Sequence, residues 1–312
     1  MKSIQLGEPG STANLTIQDI TIPQINAGEV LVQVKSISIN PVDVKTRQGG
    51  GIFNFIDVNK QPNLILGWDV SGIVTVSNSD LFSIGDEVFG MVNFPGVGNV
   101  YAEYVVAPAG HLTLKPVNIS HEEAAAATLA PLTALQVLRE AGVKKGDRVL
   151  IHAASGGVGH YAVQLAKGLG AYVVGTSSAS NKEFVLSLGA DEHIDYQTQT
   201  LVEATNDIDF VLDCLGPDNI TESLAVMKNG GQVISIVTNF NEGLTAQLQV
   251  KNVSGKFLLV QSSGDDMNQL AKLLAQGKLK SHVSKSFAFD QMTAAHLQVE
   301  SGRTVGKIVV NI

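Results

Sequence analysis

A glycine-rich turn constrains the possible folds of this chain more than any other segment. The turn, residues 154–159 (ASGGVG), follows a strand-like run at 148–153 and leads into a helix-like run at 159–169. Glycines between a strand and a helix leave the backbone bare, so a pyrophosphate can reach the free N–H groups of the first helical turn. The hexapeptide also occurs without a ligand, so the prediction of a dinucleotide site depends on the flanking elements.

Strand and helix patterns alternate along the chain after residue 147. We predict strands at 149–153, 172–176, 192–194, 209–213 and 232–237, and helices at 161–169, 182–188, 201–204 and 219–227. The strands are continuous apolar runs, which are typical of a parallel sheet covered on both faces. This order predicts an α/β fold with a doubly wound parallel sheet, the Rossmann fold. A strand at 257–260 and a helix at 267–279 follow.

The first 120 residues have a different pattern, in which helical periodicity is nearly absent. Apolar and polar residues alternate at 30–34, 72–76 and 101–106, and glycine, proline, asparagine and aspartate separate these runs. The pattern predicts a β-rich domain. The end of the chain, 286–312, returns to β character, and we expect its last strand at 306–310 to rejoin this first domain.

Composition excludes several classes of function. The 312 residues carry a formal net charge of −8, which disfavours a non-specific nucleic-acid surface. The single cysteine, Cys214, rules out an intrachain disulfide and favours a location in the reducing cytoplasm. The first residues lack the apolar core of a signal peptide, and we expect no membrane span.

The end of the second predicted strand indicates which dinucleotide binds. Residues 176–182 (TSSASNK) contain no acid, whereas NAD-binding proteins usually carry Asp or Glu there for the ribose hydroxyls. Hydroxyls and a lysine can hold a 2′-phosphate, so the segment favours NADPH. We assign this contact to Ser177, Ser178, Asn181 and Lys182. Ser178 and Asn181 can also cap the next helix, and both roles are compatible.

The remaining cofactor candidates lie at the carboxyl ends of the predicted strands, where ligands of such sheets bind. Tyr196 lies near the expected adenosine edge, although a tyrosine with its hydroxyl in water fits equally well. Cys214 reads as a core residue rather than a nucleophile. The other candidates contribute mainly backbone groups: Ser155, Gly156, Gly157, Val158, Leu215, Gly216, Val237 and Thr238.

Several ordered motifs resemble those of one family, the zinc-independent quinone oxidoreductases of the medium-chain dehydrogenase/reductase superfamily. The resemblance runs nearly end to end. The motifs are Asn40-Pro41-Val42-Asp43, residues 66–72 (LGWDVSG), 85–88 (GDEV), 131–134 (PLTA) and 187–191 (SLGAD), and Gly306-Lys307. The resemblance implies a GroES-like catalytic domain from residues 1–120 and 286–312, with a Rossmann domain at 121–285 between its two parts.

The resemblance also implies roles for individual residues. Asn40 and Thr133 would lie near the nicotinamide, and Lys307 would approach the cofactor from the last strand. Zinc-dependent relatives carry a cysteine in place of Asn40 and a His-Glu pair in place of Trp68-Asp69, so no metal is expected here. Many quinone reductases of this family carry a tyrosine in the loop at 49–53. This chain has glycines with Ile52 and Phe53, which predicts an apolar rim.

These observations predict an NADPH-dependent oxidoreductase that reduces a quinone or an α,β-unsaturated carbonyl without a metal. Charge develops on the carbonyl oxygen, and the Asn40 amide can donate a hydrogen bond to it. Asp43 is the second catalytic candidate, although tying the loop through backbone N–H groups suits it better. Two alternatives stay open: an enoyl-thioester reductase, and an NADPH-binding protein without turnover. The apolar strand at 257–260 predicts a homodimer.

Overall fold

A computed structural model describes residues 1–55 and 63–312 of the chain. Packing divides these residues into two compact units. The first unit comprises Met1–Leu132 and Val260–Ile312, and the second comprises Thr133–Leu259. Among the described helices, none is long and apolar enough to cross a membrane.

Strands outnumber helices among the described residues before the second unit. The strands are β1 (Lys2–Leu6), β2 (Leu15–Asp19), β3 (Glu29–Ile39), β4 (Leu64–Ile65), β5 (Asp69–Ser77), β6 (Glu87–Met91), β7 (Tyr104–Pro108) and β8 (Leu112–Leu114). The helices are α1 (Pro41–Arg47), α2 (His121–Ala126) and α3 (Leu129–Glu140), of which α3 continues into the second unit.

The second unit alternates strands and helices. Its strands are β9 (Arg148–Ile151), β10 (Tyr172–Ser177), β11 (Glu192–Asp195), β12 (Ile208–Asp213), β13 (Met227–Ser235) and β14 (Ser254–Phe257). Its helices are α4 (Gly159–Gly168), α5 (Lys182–Ser187), α6 (Leu201–Ala204), α7 (Pro217–Leu224) and α8 (Glu242–Lys251).

These second-unit strands form one parallel sheet in the order β11-β10-β9-β12-β13-β14. The order is that of a doubly wound Rossmann sheet, in which the strand order reverses beside the first strand, here between β9 and β12. Val149, Leu150 and Ile151 in β9 are fully buried, as expected for a strand covered on both faces. The predicted α/β fold with a parallel sheet is confirmed.

The glycine turn lies between β9 and α4, as the sequence predicts. A Cβ atom on Gly159 would lie 2.2 Å from the carbonyl oxygen of Ala153. No side chain fits at this separation, so glycine is required for α4 to start so close to the end of the strand. Ala153 itself has a positive φ of 50°, which sharpens the turn.

The chain then returns to the first unit through α9 (Gly264–Ala275), β15 (Val283–Ala288), α10 (Met292–Glu300) and β16 (Lys307–Asn311). Within the described residues, the larger first-unit sheet has the order β15-β16-β3-β5-β6-β8, and β7 also pairs with β3. The register places Ile308 opposite Ile39. The last strand therefore rejoins the β-rich part of the chain, as predicted.

Helix α9 packs in the first unit, and the two compact units divide at 132/133 and 259/260. The domain bounds at 120 and 285 stay a prediction. A Cβ on Gly264 would lie 2.5 Å from the carbonyl oxygen of Gly110, which shows how closely α9 starts against first-unit backbone. The Thr113 hydroxyl also donates a hydrogen bond to the Asn268 side chain. Apolar periodicity identified this helix but carried no information about its packing partner.

Two local predictions were wrong, and one short helix was not predicted. The strand predicted at 257–260 is β14, which ends at Phe257 because its register with β13 ends at Ser235. Helix α1 was missed because seven residues are too few to show helical periodicity. Ile52 lies in the core with 1% exposure rather than on a rim.

Helix α1 begins directly after β3, and its first turn is held by Asp43. Pro41 occupies the first helical position, where a missing N–H has no cost. The Asp43 Oδ2 accepts the backbone N–H of Asn40 at 2.8 Å, which is the loop tie that the sequence predicts for Asp43. Burial, the largest effect, raises the pKa of Asp43 to about 7; the Asn40 N–H opposes the rise and the Asp69 carboxylate adds to it.

The raised pKa of Asp43 makes the free energy of unfolding depend on pH. The ordinary pKa of an aspartate is about 4, so between about pH 4 and 7 the folded chain holds a proton that the unfolded chain has released. The contribution of Asp43 to the free energy of unfolding is therefore complete at low pH. It is lost as the pH rises towards 7.

Replacing Asp43 by Asn removes this titration and keeps an oxygen for the Asn40 N–H. Relative to wild type, we expect the free energy of unfolding of Asp43→Asn to rise by up to about 4 kcal/mol between pH 4 and 7. Urea denaturation at several pH values measures the difference. Asp80→Asn, at an exposed position, is the matched control and should show no trend. A difference for Asp43→Asn that stays constant with pH would contradict the assignment.

Candidate active site

Three polar side chains meet where neighbouring strands of the first unit end or begin. Asn40 follows β3, Asp69 begins β5, and Lys307 begins β16. Because β3 pairs with both other strands, with Ser38 opposite Asp69 and Ile39 opposite Ile308, the three residues lie at one edge of the sheet. Their exposures are 1%, 0% and 3%. This Asn40–Asp69–Lys307 cluster is therefore almost fully removed from water.

The side chains of the cluster are bonded directly to one another. The Asn40 Nδ2 donates to Asp69 Oδ2 at 2.7 Å, and Asn40 Oδ1 accepts a hydrogen bond from the Lys307 ammonium. The Lys307 Nζ lies 3.7 Å from Asp69 Oδ2 and 3.5 Å from the carbonyl oxygen of Ile39. Asp69 Oδ1 accepts the backbone N–H of Leu129 at 3.1 Å. Both ends of the Asn40 amide thus have a charged partner.

Burial shifts both charged groups of the cluster towards their neutral forms. It raises the pKa of Asp69, and the positive charge of Lys307 and the hydrogen bonds from Asn40 and Thr128 oppose the rise. It lowers the pKa of Lys307, and the negative charge of Asp69 opposes that shift. Each charge therefore depends on the other to stay ionised.

A second group of buried polar residues surrounds Asp43. The Tyr101 hydroxyl lies 3.0 Å from His296 Nε2. Burial raises the pKa of Tyr101, and Asp43 raises it further, so Tyr101 stays protonated. Burial lowers the pKa of His296 to about 3, so this imidazole is neutral at physiological pH. The Tyr101 hydroxyl can donate a hydrogen bond to Asp43, which lowers the pKa of that carboxyl, and the neutral His296 adds no positive charge.

In the second unit, the predicted cofactor residues lie at the carboxyl edge of the parallel sheet. The ends of β10 and β11 are paired through Ser177 and Asp195, and those of β12 and β13 through Asp213 and Ser235. The glycine turn follows β9 at the same edge, between these two pairs. The turns that follow the strands therefore line one side of this unit.

Hydrogen bonds connect three of the predicted residues, of which Ser155 is distant in sequence from the other two. The Asn181 Nδ2 donates to Ser155 Oγ and to Ser178 Oγ, both at 3.2 Å. The glycine turn and the segment after β10 are thereby joined. Lys182 is exposed beside them, and its charge lowers the pKa of His193, after the larger effect of burial.

Ser177 and Tyr196 are connected at the neighbouring strand end. The Ser177 Oγ lies 2.7 Å from His193 Nε2 and is 3% exposed, so its hydroxyl faces β11 rather than the turn. The Tyr196 backbone N–H donates to the Ser177 carbonyl oxygen at 3.3 Å, while the Tyr196 side chain is 63% exposed. The exposed ring is compatible with both interpretations of Tyr196, an adenosine contact and a tyrosine whose hydroxyl lies in water.

One buried carboxylate organises the other two turns. Asp213 Oδ1 accepts the backbone N–H groups of Leu215 and Gly216, at 3.0 and 2.9 Å. Asp213 Oδ2 accepts the Ser235 hydroxyl at 2.6 Å. The same Ser235 oxygen accepts the backbone N–H groups that follow β13, those of Val237 and Thr238. All four predicted turn residues are positioned by this pair.

Other predicted residues occupy different environments. Gly156, Gly157 and Val158 are partly exposed in the glycine turn. Thr133 is 3% exposed on α3. Burial raises the pKa of the Cys214 thiol well above its ordinary value, so the thiol stays protonated and is unsuited to nucleophilic attack.

Sequence reasoning assigned no side-chain role at the site to Asp69, Asp213 and His193. The sequence does contain a signal for Asp213. An acidic residue that ends an apolar strand before a glycine turn cannot pack against apolar neighbours and needs polar partners. His193 and Asp69 contact residues far away in sequence, 16 and 29 positions respectively. Only the strand pairing brings these partners together.

Two family profiles match the chain. The profile described as "Alcohol dehydrogenase GroES-like domain" matches residues 26–117, and the profile described as "Zinc-binding dehydrogenase" matches residues 188–310. Among the described residues, no group of three or more His, Cys, Asp or Glu side chains is arranged to hold a metal ion.

Relatives and solved structures match the whole chain. A 2-methylene-furan-3-one reductase of Solanum lycopersicum is 31% identical, over 100% of this chain and 79% of the relative. An NADPH-dependent alkenal/one oxidoreductase of Arabidopsis thaliana is 31% identical, over 94% and 74%. The structure of the quinone oxidoreductase from Coxiella burnetii has a TM-score of 0.93 and 35% identity, and covers 100% of this chain and 99% of that one. The chain therefore belongs to the medium-chain dehydrogenase/reductase superfamily, in its quinone oxidoreductase-like group.

Proposed function

We propose that the protein is an NADPH-dependent oxidoreductase that reduces quinones or α,β-unsaturated carbonyl compounds without a metal. The observation that carries the proposal is the Asn40 amide, held in a buried cluster with its nitrogen bonded to a carboxylate. Such an amide can donate a hydrogen bond to a carbonyl oxygen. The names of the relatives, which reduce a furanone, alkenals or enones, and quinones, support this substrate class.

The carboxyl edge of the second-unit sheet suits NADPH. Bound there, NADPH would supply the hydride. The N–H groups of the glycine turn can hold its pyrophosphate at the start of α4. Ser155, Ser178 and Asn181 are already hydrogen bonded to one another beside the Lys182 cation, and no carboxylate lies among residues 176–182. Hydroxyls and a cation favour a 2′-phosphate, whereas the ribose hydroxyls of NADH call for a carboxylate.

The first unit would stabilise the reduced acceptor. Negative charge grows on the carbonyl oxygen during reduction, and a positioned donor stabilises it. One N–H of the Asn40 amide binds Asp69, and the second is the donor we assign to the acceptor. Asp43 holds the Asn40 backbone in place, and we keep it as a second catalytic candidate. Water delivers the proton in this proposal.

The residues of the first-unit cluster do not suit a zinc ion. Asn40 and Asp69 are bridged by the Lys307 ammonium, and a second cation beside it would be repelled. The Trp68 indole donates to the carbonyl oxygen of Gly96 at 2.7 Å and offers no ligand atom. We therefore derive no Lewis-acid step, although one matching profile describes a zinc-binding family.

The proposal extends to the oligomeric state of the protein and its location in the cell. Strand β14 is the edge of the parallel sheet, so its outer N–H and C=O groups can pair with β14 of a second copy. We propose a homodimer on this ground. A cytoplasmic location is supported by the single cysteine, and the partner is a small molecule rather than nucleic acid or membrane.

Oxidation of NADPH in the presence of an acceptor panel tests the function. We expect turnover with 1,4-benzoquinone or a simple enone. Asn40→Ala should lower kcat by about 100-fold, because one transition-state donor is lost. The exposed Asn78→Ala is the control and should leave kcat unchanged. Turnover of an enoyl thioester alone would favour that alternative, and NADPH binding without any turnover would favour a non-catalytic binding protein.

Cofactor preference tests the phosphate contact. Lys182→Ala should raise the Kd of NADPH by about 10-fold, the cost of one exposed charge-assisted contact, and leave the Kd of NADH unchanged. Lys144→Ala removes an exposed lysine before β9, at the opposite edge of the sheet, and should alter neither value. Equal affinities of the wild type for NADPH and NADH would contradict the preference itself.

A further inference from the structure

The orientation of the Asn40 amide depends on the charges on either side of it. A lysine ammonium only donates hydrogen bonds, and an ionised carboxylate only accepts them. With Lys307 on one side and Asp69 on the other, the amide oxygen must face Lys307 and the nitrogen must face Asp69. The reversed amide would bring its N–H groups against the ammonium and its oxygen against the carboxylate. Both contacts would then be repulsive.

We propose that Lys307 is a positioning residue, whose ammonium fixes the Asn40 amide with its nitrogen as the donor. The proposal rests on the donor role given to Asn40 above. The cofactor contact that the family resemblance implies for Lys307 stays a separate prediction, which the Kd of NADPH tests below. Within the first unit, Lys307 bonds to Asn40 and to the Ile39 carbonyl. Its effect on the reaction therefore passes through Asn40.

Lys307 also keeps Asp69 in the form that orients the amide. Burial favours the protonated form of Asp69, and Lys307 opposes this shift. Without Lys307, Asp69 would hold its proton to a higher pH. A protonated carboxyl group can donate to Asn40 Oδ1, which permits the reversed amide. In a variant without Lys307, the Asn40 amide should therefore fail as a donor at neutral pH. At high pH, where Asp69 is ionised again, it should recover part of this function.

The other groups facing Asp69 fix the direction of this pH effect. Asp43, from α1, faces Asp69, and the Asp69 carboxylate raises the pKa of Asp43. Tyr101 remains neutral. The Leu129 N–H donates to the carboxylate, and it and the nearby Thr128 hydroxyl lower the pKa of Asp69, but neither group carries charge. Lys307 is the largest of the influences that keep Asp69 ionised.

Lys307→Met tests the proposal, since methionine is similar in length and has no charge. With an acceptor that the wild type reduces, we expect kcat at neutral pH to fall by about 100-fold, the effect of one misdirected donor. The Kd of NADPH should change by less than about 2-fold, and kcat should recover as the pH rises. A raised Kd of NADPH with unchanged kcat would show a cofactor contact instead. A loss of kcat with no change in the pH profile would show a merely structural role.

Lys115→Met is the matched control. The Lys115 side chain is 5% exposed in the same unit and lies 3.3 Å from Glu87, so its loss also removes a buried ammonium from a carboxylate. We expect Lys115→Met to lower stability and to leave kcat and its pH profile unchanged. An equal loss of kcat in both variants would overturn the proposal.

A second readout separates this proposal from the proposed function. The Asn40 side-chain amide can be identified in ¹⁵N NMR spectra by its loss in Asn40→Ala. In the wild type its N–H hydrogens should exchange slowly with solvent, and in Lys307→Met they should exchange at least about 10-fold faster. This holds even if the wild type reduces no acceptor, in which case only the proposed function fails. Equal exchange rates in the two proteins would contradict the positioning role.

Discussion

The first unit depends on a buried charge pair placed at the junction of three strands. Lys307 and Asp69 enter from opposite sides of β3, and Asn40 lies between them. The pairing of β16 with β3 sets this geometry, since a slip of one residue would turn Lys307 to the other face of the sheet. Each charge costs free energy to bury, and each lowers the cost of the other. The candidate donor therefore requires residues from both ends of the chain.

In the second unit, buried polar side chains hold backbone groups in place. Asp213 and Ser235 hold two successive turns at the ends of β12 and β13, and neither side chain needs to touch a ligand to do so. Gly159 lets α4 start against the end of β9. The side chains that can discriminate between nicotinamide cofactors, Ser178 and Lys182, then project from the adjacent segment. The turns are thus held by the protein's own hydrogen bonds, and a small number of adjacent side chains can select the cofactor.

Much of the fold follows from the sequence because local signals dominate it. Continuous apolar runs, turn glycines and their order predict five of the six strands of the parallel sheet, with bounds that differ by at most five residues, and α6 at its observed bounds. Contacts set by long-range register could not be predicted in the same way. No local pattern shows that Asp69 and Lys307 would bracket Asn40, or that His193 would face Ser177. The packing of α9 on β8 is a further case, since an amphipathic helix does not indicate its partner.

The central claim is that Lys307 acts on the reaction only through Asn40, and a double-mutant cycle tests it most directly. The measurement compares kcat at neutral pH for the wild type, Asn40→Ala, Lys307→Met and the double variant. If Lys307 only orients the Asn40 amide, the double variant should have the kcat of Asn40→Ala within about 3-fold, because no amide remains to be oriented. Losses that multiply in the double variant would show that the two residues act independently, and would contradict this account.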